Sequence, residues 1–472
     1  MSIPTPRSRG LLLALACMAQ FMVVLDVAIV NVALPSIQSE LEIEQGVLQW
    51  VVIAYGLLLG GFLLLGGRLT DFLGRRRILI VGLALFTLAS LAAGLAGSAE
   101  TLIGARAVQG FGAALIPPAA LSIVAVTFEE GEARNRALGL FGAVTGVSAS
   151  IGVIASGLLT DGPGWRSIFL INVPIGVVLI VLALVGLPAE AGARRAGARF
   201  DVAGAVTVTG GLLAIIFGLN RAADSGWASS WAWAPLVAGV VLLAAFVLIE
   251  KRSRDPLLPG VALRNRTLVA ANVSAFFTFG AFFSFIFLGS LFMQQVLDYS
   301  PTQAGIAWLA TTVISFVAAA VTGSKLVGVV GVRVLLVVGQ ALLAAAVLLL
   351  TSVSADAVYA FNLLPAFVLA GLAGGIAAPA AQIGALSNVS PSLTGLASGL
   401  VETMRELGGA IGVAVVASLL IATATGVDGF RAGFWGIFVT AAVGAIASAI
   451  AFPTPGRRAR VEAAPSSVSN VN

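Results

Sequence analysis

The sequence predicts an all-α integral membrane protein with fourteen transmembrane helices, grouped as six, two and six along the chain. Hydrophobic residues make up 59% of the 472 residues and charged residues 10%, against about 45–50% and about 25% in a soluble domain. Apolar runs of about 20 residues, the length of a helix that crosses a bilayer core of ~30 Å, recur along the whole chain. These runs are too long and too continuous for the alternating strands of a membrane β-barrel.

The predicted helices follow one another with short polar connections. The apolar runs cover residues 11–34, 48–67, 78–97, 101–127, 137–159, 168–187, 202–220, 234–250, 267–293, 304–324, 332–352, 357–386, 394–422 and 433–452. With both termini in the cytoplasm, 21 of the 26 Lys and Arg residues fall on cytoplasmic segments. Since cytoplasmic loops carry an excess of cations, we predict that orientation. The first run is too long for the core of a signal peptide, so it is predicted to be a spanning helix.

Composition also excludes several classes of function. The net charge is +5, but the cations follow the membrane topology and form no patch, so nucleic acid is not expected as a partner. The chain has no histidine and one cysteine, Cys17, so neither a metal site nor an internal disulfide is predicted. No GxxxxGK[ST] phosphate loop is present. We therefore predict no enzyme and no cofactor, and any proton chemistry must use carboxylates.

The chain repeats itself. The segment from Gly110 to Pro118 is echoed 261 residues later by that from Gly371 to Pro379. These echoes, with the composition of the segments between and after them, predict four parts: an N-terminal six-helix bundle (1–189), a linker with a two-helix insert (190–259), a C-terminal six-helix bundle (260–456) and a disordered cytoplasmic tail (457–472).

A charged turn stands between the second and third apolar runs. It carries two turn glycines, one acid and three consecutive arginines, namely Gly67, Asp71, Gly74, Arg75, Arg76 and Arg77. Such a charged group is costly in hydrocarbon, so we predict a loop at the membrane face that acts as a gate. A faded copy at residues 324–333 has Gly328 where Asp71 would be, which predicts a latch in one half only.

Five ionisable residues are predicted inside the spans, where a charge costs about 2.5–3.5 kcal/mol and needs a reason. Asp26 and Arg106 lie ~12 Å and ~8 Å from the same end of their helices at 1.5 Å per residue, which permits an ion pair. Glu402, Arg405 and Glu406 have the spacing of one helix face. Each group either binds protons or substrate, or is a static pair that fixes helices. The polar residues Asn31 and Gln109 either line a cavity or hydrogen-bond between helices.

Several motifs resemble those of the fourteen-helix drug:proton antiporters of the major facilitator superfamily. They are Leu25-Asp26-Val-Ala-Ile-Val-Asn31-Val-Ala-Leu-Pro35, Gly67-x-Leu69-x-Asp71-x-x-Gly74-Arg75-Arg76-Arg77, Arg106-x-x-Gln109-Gly110-x-Gly112, and Trp165-Arg166-x-Ile-Phe-x-Ile-Asn172-x-Pro174-Ile-Gly176. The resemblance covers nearly the whole chain. It implies a major-facilitator-type fold, with two bundles that rock about a cavity at the membrane midplane.

The fifth helix departs from the family pattern. The antiporter motif there reads Gly-Pro-x-x-Gly-Gly, whereas this chain has Gly152 followed by Val153 in place of the proline, and Gly157 in the last position. Together with Gly139, these glycines are predicted to permit close helix packing. The missing proline leaves the kink and the proton antiport that the motif implies open.

We therefore expect a secondary transporter that exports apolar or cationic drugs or toxic metabolites from a bacterial cytoplasmic membrane, in exchange for protons as the resemblance implies. A monomer in contact with lipid is expected. One alternative is an exporter dedicated to a single natural product that confers self-resistance. A minor alternative is a membrane sensor or scaffold that transports nothing.

Overall fold

The computed structural model describes residues 6–188, 201–225, 229–253, 255–422 and 426–452. Fourteen long helices occur in these ranges. They are α1 (Pro6–Leu41), α2 (Trp50–Leu73), α3 (Arg75–Gly94), α4 (Ala99–Thr127), α5 (Glu132–Asp161), α6 (Asn172–Gly186), α7 (Val202–Ser225), α8 (Ser230–Arg252), α9 (Arg266–Gln295), α10 (Leu309–Val321), α11 (Val327–Leu350), α12 (Leu364–Leu386), α13 (Thr394–Ala422) and α14 (Val427–Ala451). The predicted tail and residues 189–200, at the start of the predicted linker, lie outside the described residues.

The helices match the expected number of membrane spans. Twelve segments of the described chain are long and apolar enough to cross a membrane, and one of them, Thr302–Leu350, has 49 residues. That segment contains two spans, because Gly331 breaks the helix with φ 80° and ψ 160°. The 30-residue helix α5 is also long enough to cross. The structure is thus all-helical where it is described and compatible with fourteen spans.

The predicted loop at residues 67–77 is much shorter than expected. Helix α2 continues to Leu73 and α3 begins at Arg75, so Gly74 is the one residue between them. Its φ of 98° is in the region that favours glycine. The expectation of a loop was wrong because a helix can carry charges at its end wherever partners satisfy them, as Asp71 and Arg75 are satisfied here.

Helices α1–α6 pack together, and so do α9–α14. The predicted repeat has a structural counterpart, because a glycine of α4 and a glycine of α12 allow equivalent close contacts. A methyl group at Gly110 would lie 2.3 Å from the carbonyl oxygen of Tyr55 in α2. At Gly371 it would lie 2.6 Å from that of Thr311 in α10. The domain boundaries stay a prediction.

Helices α7 and α8 pack on each other, and α7 also packs on α2 and α13. It therefore lies over the line where the two helix groups meet. Glycines of α2 make room for it, since a methyl group at Gly61 would lie 2.3 Å from a side-chain atom of Leu213. Further along, Arg68 Nη2 donates a hydrogen bond of 3.1 Å to the carbonyl oxygen of Pro256.

Two of the three glycines predicted for close packing on α5 make such contacts. Gly139 faces Gly323, and a methyl group on Gly139 would lie 2.7 Å from the Cα of Gly323. Gly152 faces Ala28 of α1, where the corresponding distance is 2.8 Å. Gly157 and Val153 lie among residues whose side-chain surroundings are outside the described part of the structure. The backbone of α5 is one continuous helix.

Candidate transport site

A cavity of about 310 Å³ lies between the two helix groups. Helices α1, α2, α4 and α5 line one side, and α9, α10, α12 and α13 line the other. Most of the lining is apolar, but Arg106, Gln382, Arg405 and Glu406 also reach it. A mostly apolar cavity with a few polar groups at this volume suits a small ligand.

Asp26 is fully buried behind this cavity and is held by three donors. Arg106 Nη1 lies 2.5 Å from Asp26 Oδ2. Gln109 Nε2 and Asn172 Nδ2 donate to Asp26 Oδ1 at 2.8 and 3.0 Å. The carboxylate therefore has a charge partner and three hydrogen-bond donors, as a buried anion needs. The pair that the helix depths permitted is present.

Arg106 connects this buried carboxylate with the cavity. Its side chain is 1% exposed, and its Nε donates to the carbonyl oxygen of Val51 at 3.0 Å. The guanidinium stacks over the ring of Tyr55, 4.1 Å from the centroid, which is close enough for a cation–π interaction. Arg106 and Tyr55 both line the cavity, so Asp26 is separated from it by these two side chains.

Gln109 extends the network to a neighbouring helix. Its Nε2 also donates to Ser90 Oγ of α3 at 2.7 Å, and its Oε1 accepts from Arg106 Nη1 at 2.7 Å. The network thus joins α1, α3, α4 and α6, the last through Asn172. The side chain of Asn31 lies outside what the structure describes, so the structure does not place it in the network.

A second charged cluster lies on α13. Arg405 is paired with two carboxylates, at 2.7 Å to Glu402 Oε2 and 2.9 Å to Glu406 Oε1. Gln382 Nε2 of α12 approaches Glu402 Oε1 at 3.4 Å. Glu402 is 1% exposed, whereas the Glu406 side chain is 25% exposed and lines the cavity. With all three groups ionised, the cluster carries one excess negative charge beside the cavity.

Aromatic side chains form the apolar wall of the cavity. Phe279 and Phe283 meet edge to face with centroids 5.6 Å apart. Trp308 is fixed by stacking on Phe367 at 4.2 Å and by a hydrogen bond of 2.9 Å from its Nε1 to Ser290 Oγ. Such a rigid wall can hold a flat apolar group.

The cavity is closed at the end of the molecule that carries Asp71, which we call the Asp71 end. Asp71 Oδ1 and Oδ2 accept hydrogen bonds from the backbone N–H groups of Gly395 and Leu396 at 2.8 and 2.7 Å. These groups are at the N-terminus of α13, where a negative charge is favoured. Asp71 therefore connects α2 of the first helix group to α13 of the second.

One arginine, Arg75, and a glycine contact complete this closure. Arg75 donates to Ser122 Oγ at 2.9 Å and to the carbonyl oxygen of Pro391 at 2.5 Å. Gly67 packs against α13, and a methyl group there would lie 2.3 Å from the carbonyl oxygen of Gly395. Arg76 bonds within its own group, to the carbonyl oxygen of Leu184 at 2.7 Å. Arg77 is exposed.

The sequence did not single out several residues of this site. Tyr55, Ser90 and Trp308 were missed because a tyrosine, a serine or a tryptophan in an apolar run is more often part of the packing. Tyr55 could have been found from helix spacing, since residues three and four apart lie on one face and Val52, Tyr55 and Leu59 all line the cavity. Nothing in the sequence around Ser90 indicates its bond to Gln109.

In the described ranges, no group of three or more His, Cys, Asp or Glu side chains could hold a metal ion. What the described helices do contain is two groups of six around a shared cavity, with buried charges in each group and one end closed. This is the arrangement of a secondary transporter, which exposes one site to either side of the membrane in turn.

Comparison with known proteins identifies the family. The model of the Major Facilitator Superfamily matches residues 16–205, 192–413 and 271–469. The chain is 40% identical over 419 residues to the puromycin resistance protein pur8 of Streptomyces alboniger, covering 88% of this chain and 82% of that one. It is 37% identical to the cephamycin export protein CmcT of Amycolatopsis lactamdurans, covering 98% and 95%. The chain therefore belongs to the major facilitator superfamily.

A solved structure has the same fold. The crystal structure of the human organic anion transporter MFSD10 superposes with a TM-score of 0.68 over 94% of this chain and 100% of that one, at 15% identity. The likeness concerns the fold alone.

Proposed function

We propose that the protein exports small drug-like molecules, antibiotics among them, across the cytoplasmic membrane of a bacterium in exchange for protons. The Asp71 end faces the cytoplasm in this proposal, because the arginines concentrate there. One observation carries the proton coupling: the buried Asp26 is held by Arg106, and Arg106 also lines the cavity. A substrate that displaces Arg106 changes the environment of the carboxylate that binds the proton.

The energetics suffice for export. Moving one charge inward through 100 mV supplies about 2.3 kcal/mol. That corresponds to a concentration ratio of nearly fifty, since about 1.4 kcal/mol is tenfold. One proton per cycle therefore supports a substantial gradient of a neutral substrate.

The test is export by cells or proteoliposomes that contain the protein, with and without an uncoupler. We expect the wild-type protein to lower the accumulation of at least one compound in a panel of dyes and antibiotics, and the uncoupler to abolish this. Asp26→Asn should lose the coupled transport. If Asp26→Asn exported at the normal rate and still responded to the uncoupler, the assignment would be wrong.

A matched variant separates coupling from folding. Asp26→Asn leaves Arg106 buried without its anion, and breaking a buried pair costs about 3–5 kcal/mol. The double variant Asp26→Asn, Arg106→Gln removes both charges. We expect it to recover thermal stability relative to the single variant but to remain uncoupled. Recovery of coupled export by the double variant would contradict the role of Asp26.

A second candidate is an exporter dedicated to one natural product. The relatives described above favour it, because the printed names of pur8 and CmcT each refer to one antibiotic or antibiotic class. The same panel distinguishes the two functions. Export of several unrelated compounds supports the broad function, whereas export of one compound and its close analogues supports the dedicated one.

A further inference from the structure

Helices α2 and α10 occupy equivalent places in their two groups. Positions that line the cavity correspond at a spacing of 256 residues, as in the pairs Val52 and Trp308, Tyr55 and Thr311, and Leu59 and Ser315. The spacing is kept at the Asp71 end, where Gly67 packs against Gly399 of α13 and Gly323 packs against Gly139 of α5. Each of these contacts pairs a glycine of one helix group with a glycine of the other, and we call the two contacts the first gate, at Gly67, and the second gate, at Gly323.

The spacing between equivalent residues of the two groups changes just beyond these gates. Gly74, with φ 98°, ends α2, and Gly331, with φ 80°, interrupts α11. These two glycines are 257 residues apart. The second group thus has one additional residue between Gly323 and Gly331. The structure accommodates it in a π turn at Thr322–Leu326, where the N–H of Val327 bonds to the carbonyl oxygen of Thr322. A π turn holds one residue more than an α turn.

The two gates are closed by different means. At the first gate, Asp71 accepts the N–H groups of Gly395 and Leu396, which have no partner within α13 because that helix begins at Thr394. At the second gate α5 begins earlier, at Glu132, and the N–H of Asn135, which corresponds to Gly395, already bonds to the carbonyl oxygen of Gly131. A carboxylate at the second gate could not accept a hydrogen bond from the N–H of Asn135, because that N–H is already bonded.

Local hydrogen bonding in the π turn is incomplete. The hydroxyl of Thr322 is fully buried and has no hydrogen-bond partner among the described residues. The hydroxyl of Ser324 donates to the carbonyl oxygen of Ala320 at 2.7 Å, so this backbone acceptor has a side-chain donor. The turn between α10 and α11 thus holds a buried hydroxyl without a partner among the described residues, next to the glycine contact that must separate when the gate opens.

We propose that the π turn at Thr322–Leu326 is the hinge of the second gate. The additional residue lets the end of α10 move against α5 while the part that lines the cavity keeps its packing on α12. The molecule then opens the Asp71 end with one carboxylate latch, at Asp71, and one hinge that has no such carboxylate. This inference rests on the proposed function only in requiring that the cavity open alternately to the two sides.

Removing the additional residue tests the hinge. In a Cys17→Ser background, Ser315→Cys places a thiol in the cavity, and a membrane-impermeant maleimide is added to vesicles of either orientation. ΔLys325 and ΔGly328 both shorten the connection by one residue, whereas Lys325→Ala and Gly328→Ala keep its length. Both residues are exposed, so little packing is lost.

We expect both deletions to be labelled at the control rate from the opposite end and at least tenfold more slowly from the Asp71 end. Equal labelling rates in the deletion variants and the controls would overturn the hinge. A slower rate in one deletion variant alone would also overturn it, because that would point to the loss of a particular side chain. Failure of both deletions to fold would assign the additional residue to folding and also overturn it.

The labelling needs neither a substrate nor a proton gradient. If no compound is exported but the labelling follows the expected pattern, the proposed function fails and the hinge stands. If the two control variants show no labelling from the Asp71 end, the cavity does not open there and the hinge fails.

Discussion

Glu406 is the most exposed of the five ionisable residues that the sequence placed inside the spans, at 25%. It shares Arg405 with Glu402, so the cluster has one negative charge in excess when all three groups are ionised. That charge can be balanced by a proton or by a cationic group of a substrate in the cavity. The static pair that the sequence left open as an alternative would show no such preference for charge.

Glu406→Gln should therefore lower the export of cationic compounds at least tenfold and change that of neutral compounds little. The neutral compounds serve as the internal control, since they report folding and cycling. Measured export rates of matched cationic and neutral dyes decide the question. An equal loss for both kinds of compound would make the cluster structural.

The contribution of Glu40 to the stability of the folded state should depend on pH in a predictable direction. It lies at the end of α1 beyond the predicted span, and hydrogen bonds from Arg166 and Trp165 hold its pKa below the usual value. The folded state thus favours the ionised form. Its contribution to stability is present above the usual pKa of a glutamate and is lost as the pH falls through the lowered pKa.

Glu40→Gln should accordingly reduce the Tm of the purified protein at pH 7, and the difference from the wild type should disappear in acid. Glu42→Gln, which removes a neighbouring exposed acid, is the matched control for loss of charge. A Tm difference that persists at acid pH would show that the substitution acts by disturbing the packing and not by removing the ion pair.

The contact between α2 and α13 depends on the absence of a side chain at Gly67. A methyl group there would meet the backbone of Gly395 at 2.3 Å and of Gly399 at 2.8 Å. Because backbone atoms cannot rotate away, the two helices must separate. The contact belongs to the closed Asp71 end, so its loss disfavours that state.

Gly67→Ala should thus slow transport at least tenfold and raise maleimide labelling of the Ser315→Cys thiol from the Asp71 end. Gly104→Ala in α4, where nothing lies within 4 Å of the added methyl group, should behave like the wild type. Normal labelling of Gly67→Ala would mean that the glycine contact is not part of the gate.

The molecule as a whole is closed at one end by contacts between its two halves, and the carboxylate of Asp71 makes two of them. Asp71 contacts α13 but does not line the cavity. An asparagine keeps one acceptor oxygen and places an NH₂ group against the second backbone N–H. The closed state then loses a charge-assisted hydrogen bond.

We expect Asp71→Asn to slow conformational cycling while substrate affinity stays nearly unchanged. Rates of transport and equilibrium binding of the same compound provide the comparison. A large loss of affinity would place Asp71 in the substrate site and overturn its assignment to the gate.

Much of this architecture follows from local properties of the chain. Spans could be predicted because hydrocarbon demands long apolar helices, and the buried acids stood out because a charge there is costly. The end of α2 could not be predicted, since the charges at Asp71 and Arg75 look like a loop until their partners are known. The ion pair of Asp26 and Arg106 could be anticipated from their similar depths in the membrane, whereas nothing in the sequence indicated that Ser90 and Tyr55 contact the same network.

The sequence alone thus established an all-helical membrane protein, its two related halves and the residues whose charge requires an explanation. Tertiary structure decided which of these residues share the cavity, which end is closed, and that the contacts of α2 with α13 and of α10 with α5 differ. The physical reason is that hydropathy and the cost of burying charge are properties of each segment, whereas hydrogen-bond partners come from helices far apart in the chain. The N–H groups of α13 that donate to Asp71 and the π turn at Thr322–Leu326 became visible only in three dimensions.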